Sequence, residues 1–475
     1  MSGLSRRGLV ASGAAGMAFG GMARMAQAQS TPAEVEASPY VNEVYGYGPL
    51  RTDPFGVFDL PEGFSYTIVN RAGDPMSDGL VTPYKTDGMG CFAGGGDRVV
   101  LVRNHELKPP ADYDYGPFGV GQVLAGKVDA AHVYDRADDG RYLTGGTTTL
   151  VYDLRRRKLE SCHLSLTGAS TNCAGGMTPW GSWLTCEEIA VSSGVRKSHG
   201  WVFEVPSARR GLVEPVPLTA LGRFRHEAAA VDPRTGVIYL TEDEYAGGLF
   251  YRFLPNDRTA PSKGGRLQAL GFKPDQQAND SRNWARADWT QGDVRDVVWI
   301  DLEGVDNPDN ALAARGAARG AAWFARGEGV YFGDGELYFN CTSGGPAKLG
   351  QIMRYRPSPH EGQADENDQP GRIQLFLQPT DKSVLFMGDN LAVSPWGHLV
   401  VCEDKVGGVN FLKGVTPQGK VYAIGRQAEP GVTDVKSNSE LAGCCFSPDG
   451  TTLFVNIYWP GTTLAITGPW SRLRA

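Results

Sequence analysis

Short apolar strands joined by Pro/Gly/Asp turns recur six times along the chain. In each copy an apolar run leads into the turn, and a second run of β-branched and aromatic residues ends near polar or acidic residues. The copies occupy residues 91–106, 172–188, 226–244, 328–345, 388–405 and 441–459. Their spacing of about 50 to 100 residues is typical of four-stranded propeller blades with loop insertions. The pattern therefore predicts an all-β fold, a six-bladed β-propeller.

A glycine in five of the six turns gives the copies a common register. The turn glycines are Gly181, Gly236, Gly335, Gly397 and Gly450. Six residues after each glycine, the second strand ends at an equivalent position, which is in turn Glu187, Glu242, Cys341, Glu403 and Asn456. The first copy fits less well, because its acid, Glu106, follows a longer loop. The alternative is a β-sandwich or a pair of smaller barrels. Six copies of one pattern argue against both.

Polar insertions separate some of the copies. They cover residues 108–146 and 255–309. At the end of the second insertion, Asp309-Asn310 could cap a short helix that extends to Ala325. The prediction is thus a propeller with loop insertions and one short helix.

The first 28 residues have the pattern of a twin-arginine export signal. Arg6-Arg7 precedes a Gly/Ala-rich apolar run, and Ala26-Gln27-Ala28 forms a small-x-small cleavage site. The run is too short and too rich in glycine for a membrane span. We expect removal of residues 1–28, the twin-arginine translocase as a partner during export, and a single propeller domain over residues 29–475. The mature protein is expected in the periplasm or outside the cell, without membrane association.

Charge and cysteine content narrow the functional classes. The chain has 46 basic and 53 acidic residues, a net charge of −7, and residues 1–28 contribute three of the arginines and no acid. This balance excludes a nucleic-acid-binding footprint. The eight cysteines show no C-x-x-C pair and no Cys-His zinc spacing, so most are expected to be buried strand residues. A monomer is expected, because a propeller closed by its own chain leaves few free strand edges.

Polar residues collect at both ends of the repeated strand pair. In a propeller the first strand of each blade lines the central channel and starts on the face where the second strand ends, so both ends lie at one mouth. Many carboxylates at one mouth require cations to offset their repulsion. Carboxylate, Asn and backbone oxygens suit Ca²⁺, and a thiolate favours a transition metal such as iron. The candidate metal ligands are Glu106, Cys173, Glu187, Glu227, Glu242, Asp243, Glu328, Asp389, Asn390, Glu403 and Asp404.

Other polar residues near these ends have different expected roles. Neighbours along a strand face opposite sides, so Glu188, Glu244 and Asp404 are the candidates for solvent-exposed rim residues. His226 is expected to orient a ligand. Arg326, two residues before Glu328, faces the same side in an extended segment and could bind a phosphate or carboxylate. The alternative is a surface arginine at the end of the short helix.

The motifs together resemble the PhoX-type alkaline phosphatases, which are exported metal-dependent phosphoesterases. The resemblance spans most of the chain and rests on YGPLRTDPFGVFDLPEGFSY, LVRNHE, STNCAGGMTPWGSWLTCEE, FRHEAAAVDPRTGVIYLTEDE, FARGEG and GDNLAVSPWGHLVVCED. It implies a six-bladed propeller with ferric iron and calcium ions at one mouth. Cys173 would ligate iron, and iron or calcium would be ligated by Glu106, Glu187, Glu227, Glu242 and Glu328. Asp389, Asn390, Glu403 and Asp404 match the family pattern less closely.

The expected reaction is hydrolysis of small phosphate monoesters, with diesters left open. The sequence has no Gly-x-Ser-x-Gly elbow and no phosphate-binding glycine loop, so a metal-held oxygen is the expected nucleophile. Arg326, Glu328 and Cys173 are the expected catalytic residues, with Arg326 holding the phosphate.

Two other functions stay open. A calcium-dependent propeller lactonase would place axial carboxylates around one cation, with Asn ligands and a basic His, and would leave Cys173 and Arg326 without a role. In a non-enzymatic binding propeller, calcium would serve only as a structural pin.

Overall fold

The structure is a computed structural model that describes residues 40–189, 193–274, 279–405, 408–428 and 439–473. Strands numbered along the chain form six antiparallel blades around a central axis. The first three strands, β1 (Leu50–Arg51), β2 (Phe58–Pro61) and β3 (Ser65–Arg71), precede the first blade. Residues 1–28 lie outside the described ranges, so the export signal stays a prediction, as do the single domain and the monomer.

Each blade begins with an inner strand and continues outward. Blade 1 contains β4 (Thr86–Gly95), β5 (Arg98–His105), β6 (Gly145–Asp153) and β7 (Lys158–Ala169). Blade 2 contains β8 (Asn172–Met177), β9 (Ser182–Glu187) and β10 (Val202–Pro206). Blade 3 contains β11 (His226–Val231), β12 (Ile238–Glu242), β13 (Phe250–Pro255) and β14 (Gly265–Phe272).

After β15 (Val294–Asp301), three further blades complete the ring. Blade 4 contains β16 (Gly327–Gly333), β17 (Glu336–Cys341), β18 (Gln351–Arg356) and β19 (Arg372–Leu377). Blade 5 contains β20 (Gly388–Val393), β21 (Leu399–Glu403), β22 (Phe411–Val415) and β23 (Val421–Gln427). Blade 6 contains β24 (Leu441–Phe446), β25 (Thr452–Ile457) and β26 (Thr462–Thr467). The inner strands β4, β8, β11, β16, β20 and β24 contact one another in that order and close the circle.

Strands from outside the repeats connect the blades. The early strand β3 pairs with β26 and supplies the outer strand of blade 6, so the two ends of the chain close the propeller together. Strand β15 pairs with both β14 and β19 and joins the outer edges of blades 3 and 4. Strand β2 pairs with β23 at the outer edge of blade 5. These additions cover strand edges that would otherwise be free to pair with another chain.

The short helix α1 is smaller than expected and is capped by a different residue. It covers Leu312–Ala318, and the Asn307 side-chain oxygen accepts hydrogen bonds from the backbone N–H groups of Ala311 and Leu312, 2.8 and 2.9 Å long. Gly320, with φ +102°, then turns the chain out of the helical direction. The expectation that Asp309-Asn310 begins a helix that extends to Ala325 is wrong in both bounds.

The core lies between neighbouring blades, and the described cysteines belong to it. All eight cysteines are buried, free of disulfides and in strands, as the sequence predicted. In five of the six inner strands a small residue lies near the start and lets the strands approach closely: Gly88, Ala174, Ala228, Gly329 and Gly443. A Cβ on Gly88 would lie 2.5 Å from the Ala174 Cα, and one on Gly329 would lie 2.7 Å from the Asn390 Cα. The polar positions at the starts of these strands are therefore brought together around the axis.

Candidate metal centre

The inner strands place equivalent residues in a ring at one mouth of the propeller. In each blade the first pair of the inner and second strands joins residues such as Thr86 and His105, or Asn172 and Glu187. The residue after the first inner-strand residue faces the axis; in the six blades it is Asp87, Cys173, Glu227, Glu328, Asp389 and Ala442. The residue that follows the same pair on the second strand is Glu106, Glu188, Asp243, Thr342, Asp404 and Tyr458.

An irregular backbone turns these side chains toward the axis. In blades 1 to 5 a β-bulge follows the first inner-strand pair directly, at Asp87, Cys173, Glu227, Glu328 and Asp389. A bulge leaves residues out of the ladder and re-aims a side chain. Four residues that precede inner strands adopt a left-handed conformation, with φ between +50° and +56°: Lys85, Thr171, Arg326 and Met387. Strained backbone of this kind is concentrated at functional sites.

Ten acidic or thiol side chains form what we call the mouth cluster. Its members are Asp87, Glu106, Cys173, Glu188, Glu227, Asp243, Glu328, Asp389, Asp404 and Glu440. Within it, three sets have ligand atoms within 4.8 Å of one another: Glu106, Cys173 and Glu188; Asp87, Glu106 and Glu440; and Glu227, Glu328 and Asp389. Each set has the size and chemistry to hold one cation.

The mouth cluster contains three acids that were not among the expected ligands. Asp87 lies outside the first repeated copy, because that copy begins at residue 91, five residues after the start of β4. Glu440 precedes β24, the inner strand of the blade that carries no acid at its strand ends. The expectation that Glu188 is a solvent-exposed rim residue is wrong, since its side chain is buried. Glu244 and Asp404 are partly buried.

The structure directs Glu187, Glu242 and Glu403 away from the mouth cluster. Glu187 accepts hydrogen bonds from the backbone N–H groups of Ser170, Gly200 and Trp201, and its other neighbour is the ring of His199 at 2.7 Å. The carboxylate ties the loop before β8 to the loop before β10.

The other two acids make the same kind of contact. Glu242 accepts from the Leu249 N–H at 2.9 Å and from the Tyr251 hydroxyl at 2.7 Å. Glu403 accepts from the N–H groups of Phe386 and Phe411. These acids are the last paired residues of their strands, so the next residue faces the axis in their place. The assignment of all three as ligands rested on their strand-end position and on the resemblance to the family, which Glu403 matches less closely.

Two further candidates are engaged by protein groups. The Asn390 side chain donates to Asp389 and accepts a 2.7 Å hydrogen bond from the Gly443 N–H. His226 stacks on Phe224, with ring centroids 3.6 Å apart, and donates through Nε2 to the Gly222 carbonyl at 2.9 Å. Its contact is therefore with a backbone oxygen rather than with a cluster carboxylate.

Among the described residues, Lys108, Arg225 and Arg326 pair with acids of the mouth cluster. The Arg326 Nε and Nη2 donate to the two oxygens of Asp243 at 2.8 and 2.9 Å, and Nη2 lies 3.0 Å from Glu328. Arg225 pairs with Glu188 and lies 3.7 Å from Asp243. Asp243 thus orients Arg326 and belongs to none of the three tight sets.

Lys108 and Tyr458 hold Glu106. The Lys108 ammonium lies 2.7 Å from one oxygen of Glu106, and the Tyr458 hydroxyl donates to the other. Burial tends to raise the pKa of Glu106, but these two groups outweigh it and hold the pKa below its ordinary value. Glu106 is therefore a carboxylate that is already ionised where two of the tight sets meet.

In other cluster acids, burial and mutual repulsion outweigh the effect of nearby cations on the pKa. Burial, followed by repulsion from Asp404, raises the pKa of Asp389 to about 8. Burial and repulsion from Asp243 raise the pKa of Glu188 to about 8. Glu227 is fully buried, and among the described residues neither of its carboxylate oxygens has a hydrogen-bond partner. A buried carboxylate in that position is strongly unfavourable unless a cation binds it, so the donor set fits bound metal ions.

Cys173 lies within the same ring. Its thiol donates toward Asp87 at 3.6 Å, and it is buried. Burial, and then the negative charge of Asp87, raises the pKa of the thiol well above its ordinary value. A thiolate at this position needs a neighbouring positive charge, and a bound metal ion would supply it.

Comparison with known proteins identifies the family to which this site belongs. The model of the family described as "Alkaline phosphatase PhoX" matches residues 45–461. The chain belongs to the PhoX family. It is therefore an alkaline phosphatase, an enzyme that acts on phosphoric esters. The resemblance seen in the sequence and the predicted enzyme class are both confirmed.

One solved structure shares the fold of this chain, and a second is similar over most of its length. PhoX of Pseudomonas fluorescens, solved in complex with vanadate, a transition state analogue, has a TM-score of 0.63 and 20% identity, over 90% of this chain and 97% of that chain. A gluconolactonase of Xanthomonas campestris has a TM-score of 0.37 and 12% identity, over 90% and 100% of the two chains. No curated protein matches the sequence. In the part of the PhoX chain that the structure describes, no helix is long and apolar enough to cross a membrane.

Proposed function

We propose that this PhoX-family chain hydrolyses phosphate monoesters with iron and calcium ions held by the mouth cluster. The observation that carries the proposal is the fully buried Glu227 carboxylate, whose oxygens have no protein partner in the described ranges and whose nearest acids are Glu328 and Asp389. Three acids so close together repel one another, and a divalent or trivalent cation would remove that cost.

The ligand chemistry divides the ions between the three tight sets. We assign Fe³⁺ to the set of Glu106, Cys173 and Glu188, because a thiolate favours a transition metal. The two sets made only of carboxylates suit Ca²⁺, which prefers oxygen ligands. When bound, such ions offset the negative charge of the phosphoryl group and supply an activated nucleophile.

The protein's own residues would bind and orient the ester. Arg326 is fixed by Asp243 through Nε and Nη2, and within the described residues its Nη1 donates to no protein group. A guanidinium held in this way can donate to phosphoryl oxygens without reorganising. Lys108, with about half of its side chain exposed, adds a second positive charge at the mouth. Both groups favour a phosphorylated substrate over a neutral lactone.

The test is hydrolysis of p-nitrophenyl phosphate at alkaline pH, with and without a calcium chelator, alongside a gluconolactone assay. Turnover of the phosphate ester that the chelator abolishes and added Ca²⁺ restores is the expected result. Lactone hydrolysis without phosphatase activity would favour the lactonase. Calcium binding with neither activity would leave only a binding propeller.

The iron assignment has a matched pair of cysteine variants. Cys173→Ser should lower the ratio of iron to protein in elemental analysis, because serine offers no thiolate. Cys186→Ser changes an equally buried cysteine in the adjacent strand β9, outside the mouth cluster, and should leave the ratio unchanged. Equal iron content in the two variants would refute the assignment.

We also propose export through the twin-arginine route, supported by Arg6-Arg7 and the cleavage site at Ala28. Replacing both arginines with lysine should retain the protein in the cytoplasm as the longer precursor. Unchanged export, measured by cell fractionation and mass of the mature chain, would contradict this.

A further inference from the structure

An exposed tyrosine lies beside the arginine that we propose as the phosphate ligand. Tyr245 follows the strand-end acids Asp243 and Glu244 on the mouth side of blade 3. Its side chain is largely uncovered, with 71% exposure. The Arg326 guanidinium carbon lies 5.1 Å from the centre of the Tyr245 ring. A large aromatic ring is thus exposed next to the reaction site.

The turn that carries Tyr245 is held in place. The Gly247 N–H donates to the Glu244 carbonyl at 2.8 Å, and the Tyr245 N–H donates to the Glu244 side chain at 3.0 Å. Arg282, paired with both oxygens of Asp280, donates to the carbonyl of Ala246. Gly248, at the end of the turn, exchanges two backbone hydrogen bonds with Phe324. The position of Tyr245 is therefore fixed by its backbone, without packing of its ring into the core.

The ring has a surface available for a ligand. Arg326 is 16% exposed and reaches the ring from the side of the mouth cluster. The Tyr245 hydroxyl has no hydrogen-bond partner among the residues that the structure describes. An ester whose phosphate is bound by Arg326 must extend its alcohol group from the mouth toward solvent, and Tyr245 is the exposed aromatic group adjacent to that path.

We infer that Tyr245 binds the alcohol part of the substrate by stacking and gives the enzyme a preference for phosphate monoesters of flat, aromatic alcohols. This inference rests on the proposed role of Arg326 and on the proposed reaction. Aromatic rings stack in offset or edge-to-face geometry with a gain beyond burial alone, and a tyrosine already fixed by its turn loses little conformational freedom on binding. An alkyl alcohol has no such face and gains little from the ring.

The experiment compares Tyr245→Ala with wild type on phenyl phosphate and on glycerol 2-phosphate, in the metal-loaded enzyme. Each substrate is compared with itself across the two proteins, so the different reactivities of the two leaving groups cancel. We expect kcat/KM to fall roughly 3- to 10-fold more for phenyl phosphate than for glycerol 2-phosphate. Tyr245→Phe keeps the ring and should retain the wild-type ratio. Tyr45→Ala removes another exposed tyrosine, far along the chain and outside the mouth, and should change neither substrate.

Two outcomes would overturn the inference. An equal loss on both substrates, with weaker inhibition by inorganic phosphate, would show that Tyr245 only supports Arg326. No change on either substrate would show that the ring contacts no substrate.

A binding measurement separates this inference from the proposed reaction. Phenylphosphonate and methylphosphonate carry no cleavable ester, and their affinities can be measured by calorimetry. Suppose that wild type hydrolyses neither ester but binds phenylphosphonate more tightly than methylphosphonate, and that Tyr245→Ala lacks this preference. The stacking inference would then stand, and the proposed reaction would be refuted. Equal affinities for both phosphonates in wild type would refute the stacking whatever the turnover.

Discussion

Replacing Glu227 with glutamine should have opposite effects on stability in the metal-free and the metal-loaded protein. Glu227, Glu328 and Asp389 offer ligand atoms within 4.8 Å of one another. At an effective dielectric constant of 20, two unit charges at that distance repel by about 3.5 kcal/mol. Burial and repulsion from Glu328 raise the pKa of Glu227 well above its ordinary value, so the repulsion acts fully only at alkaline pH, where these acids ionise. Glu227→Gln keeps the shape of the side chain and removes its charge, so at alkaline pH the metal-free variant should be more stable than wild type.

The expected shift in melting temperature follows from the length of the chain. An unfolding entropy of about 2.1 cal/mol/K per residue gives about 1 kcal/mol/K for the 475-residue chain. Relief of one such repulsion should therefore raise the melting temperature of the metal-free protein by about 3.5 °C. An ion at a thousand times its dissociation constant adds about 4 kcal/mol to wild type. The variant loses that gain, so adding metal should reverse the order of the two proteins.

The melting temperatures of both proteins are measured by differential scanning calorimetry at one scan rate and at alkaline pH. Each protein is treated with chelator and scanned before and after iron and calcium are added. Glu361→Gln is the matched control, because Glu361 is equally buried but accepts from Arg252 at 2.7 Å and from two tyrosine hydroxyls. It should destabilise the protein in both states, since it breaks a satisfied pair. If Glu227→Gln also lowered the melting temperature in both states, the argument from an unpartnered carboxylate would be refuted.

Three further predictions concern the groups around the mouth cluster. Arg326→Lys should lower kcat/KM for p-nitrophenyl phosphate by roughly 10²- to 10³-fold, since an ammonium cannot donate in the same paired geometry; a loss below threefold would contradict its role. Glu187 and Asp135 together outweigh the effect of burial and raise the pKa of His199 from 6.5 to about 9. This pair of contacts therefore stabilises the fold by about 3 kcal/mol below pH 6.5, a contribution lost as pH rises through 9; the melting-temperature deficit of His199→Gln should shrink from pH 6 to pH 10. Gly329→Ala places a Cβ 2.7 Å from the Asn390 Cα and should cost about 1–3 kcal/mol and weaken calcium binding, whereas Gly126→Ala, with open space around it, should be neutral.

The blade pattern could be predicted from sequence because turn glycines repeat it. Gly181, Gly236, Gly335, Gly397 and Gly450 all have positive φ, which a side chain would disfavour. Closure of the ring could not be predicted in the same way. Strand β3 belongs to none of the six copies, and its pairing with β26 is a long-range contact that no local pattern encodes.

Two of the three unexpected cluster acids, Asp87 and Glu440, differ in whether the sequence could have revealed them. Lys85-Thr86-Asp87-Gly88 shares a basic, any, acidic, small pattern with residues 225–228 and 326–329. Aligning the first copy on that pattern would have brought Asp87 into the ring. Glu440 occupies the position of Lys85, Arg225 and Arg326 in blade 6, where the pattern has a basic residue. Its proximity to Asp87 and Glu106 depends on closure of the propeller.

Adjacent acidic residues at the strand ends explain why the repeat register predicts residues next to the mouth cluster and not its members. Six residues after the turn glycine lies the last paired residue of the strand, as in Glu187 of Glu187-Glu188 and Glu242 of Glu242-Asp243. That acid is satisfied by backbone N–H groups of neighbouring loops and needs no ion. The acid after it lies beyond the ladder and faces the axis, where arginine or a metal ion must compensate it. The first carboxylate of each pair is stabilised by backbone N–H groups, and the second by a cation. Only the second carboxylate can therefore contribute to a metal centre.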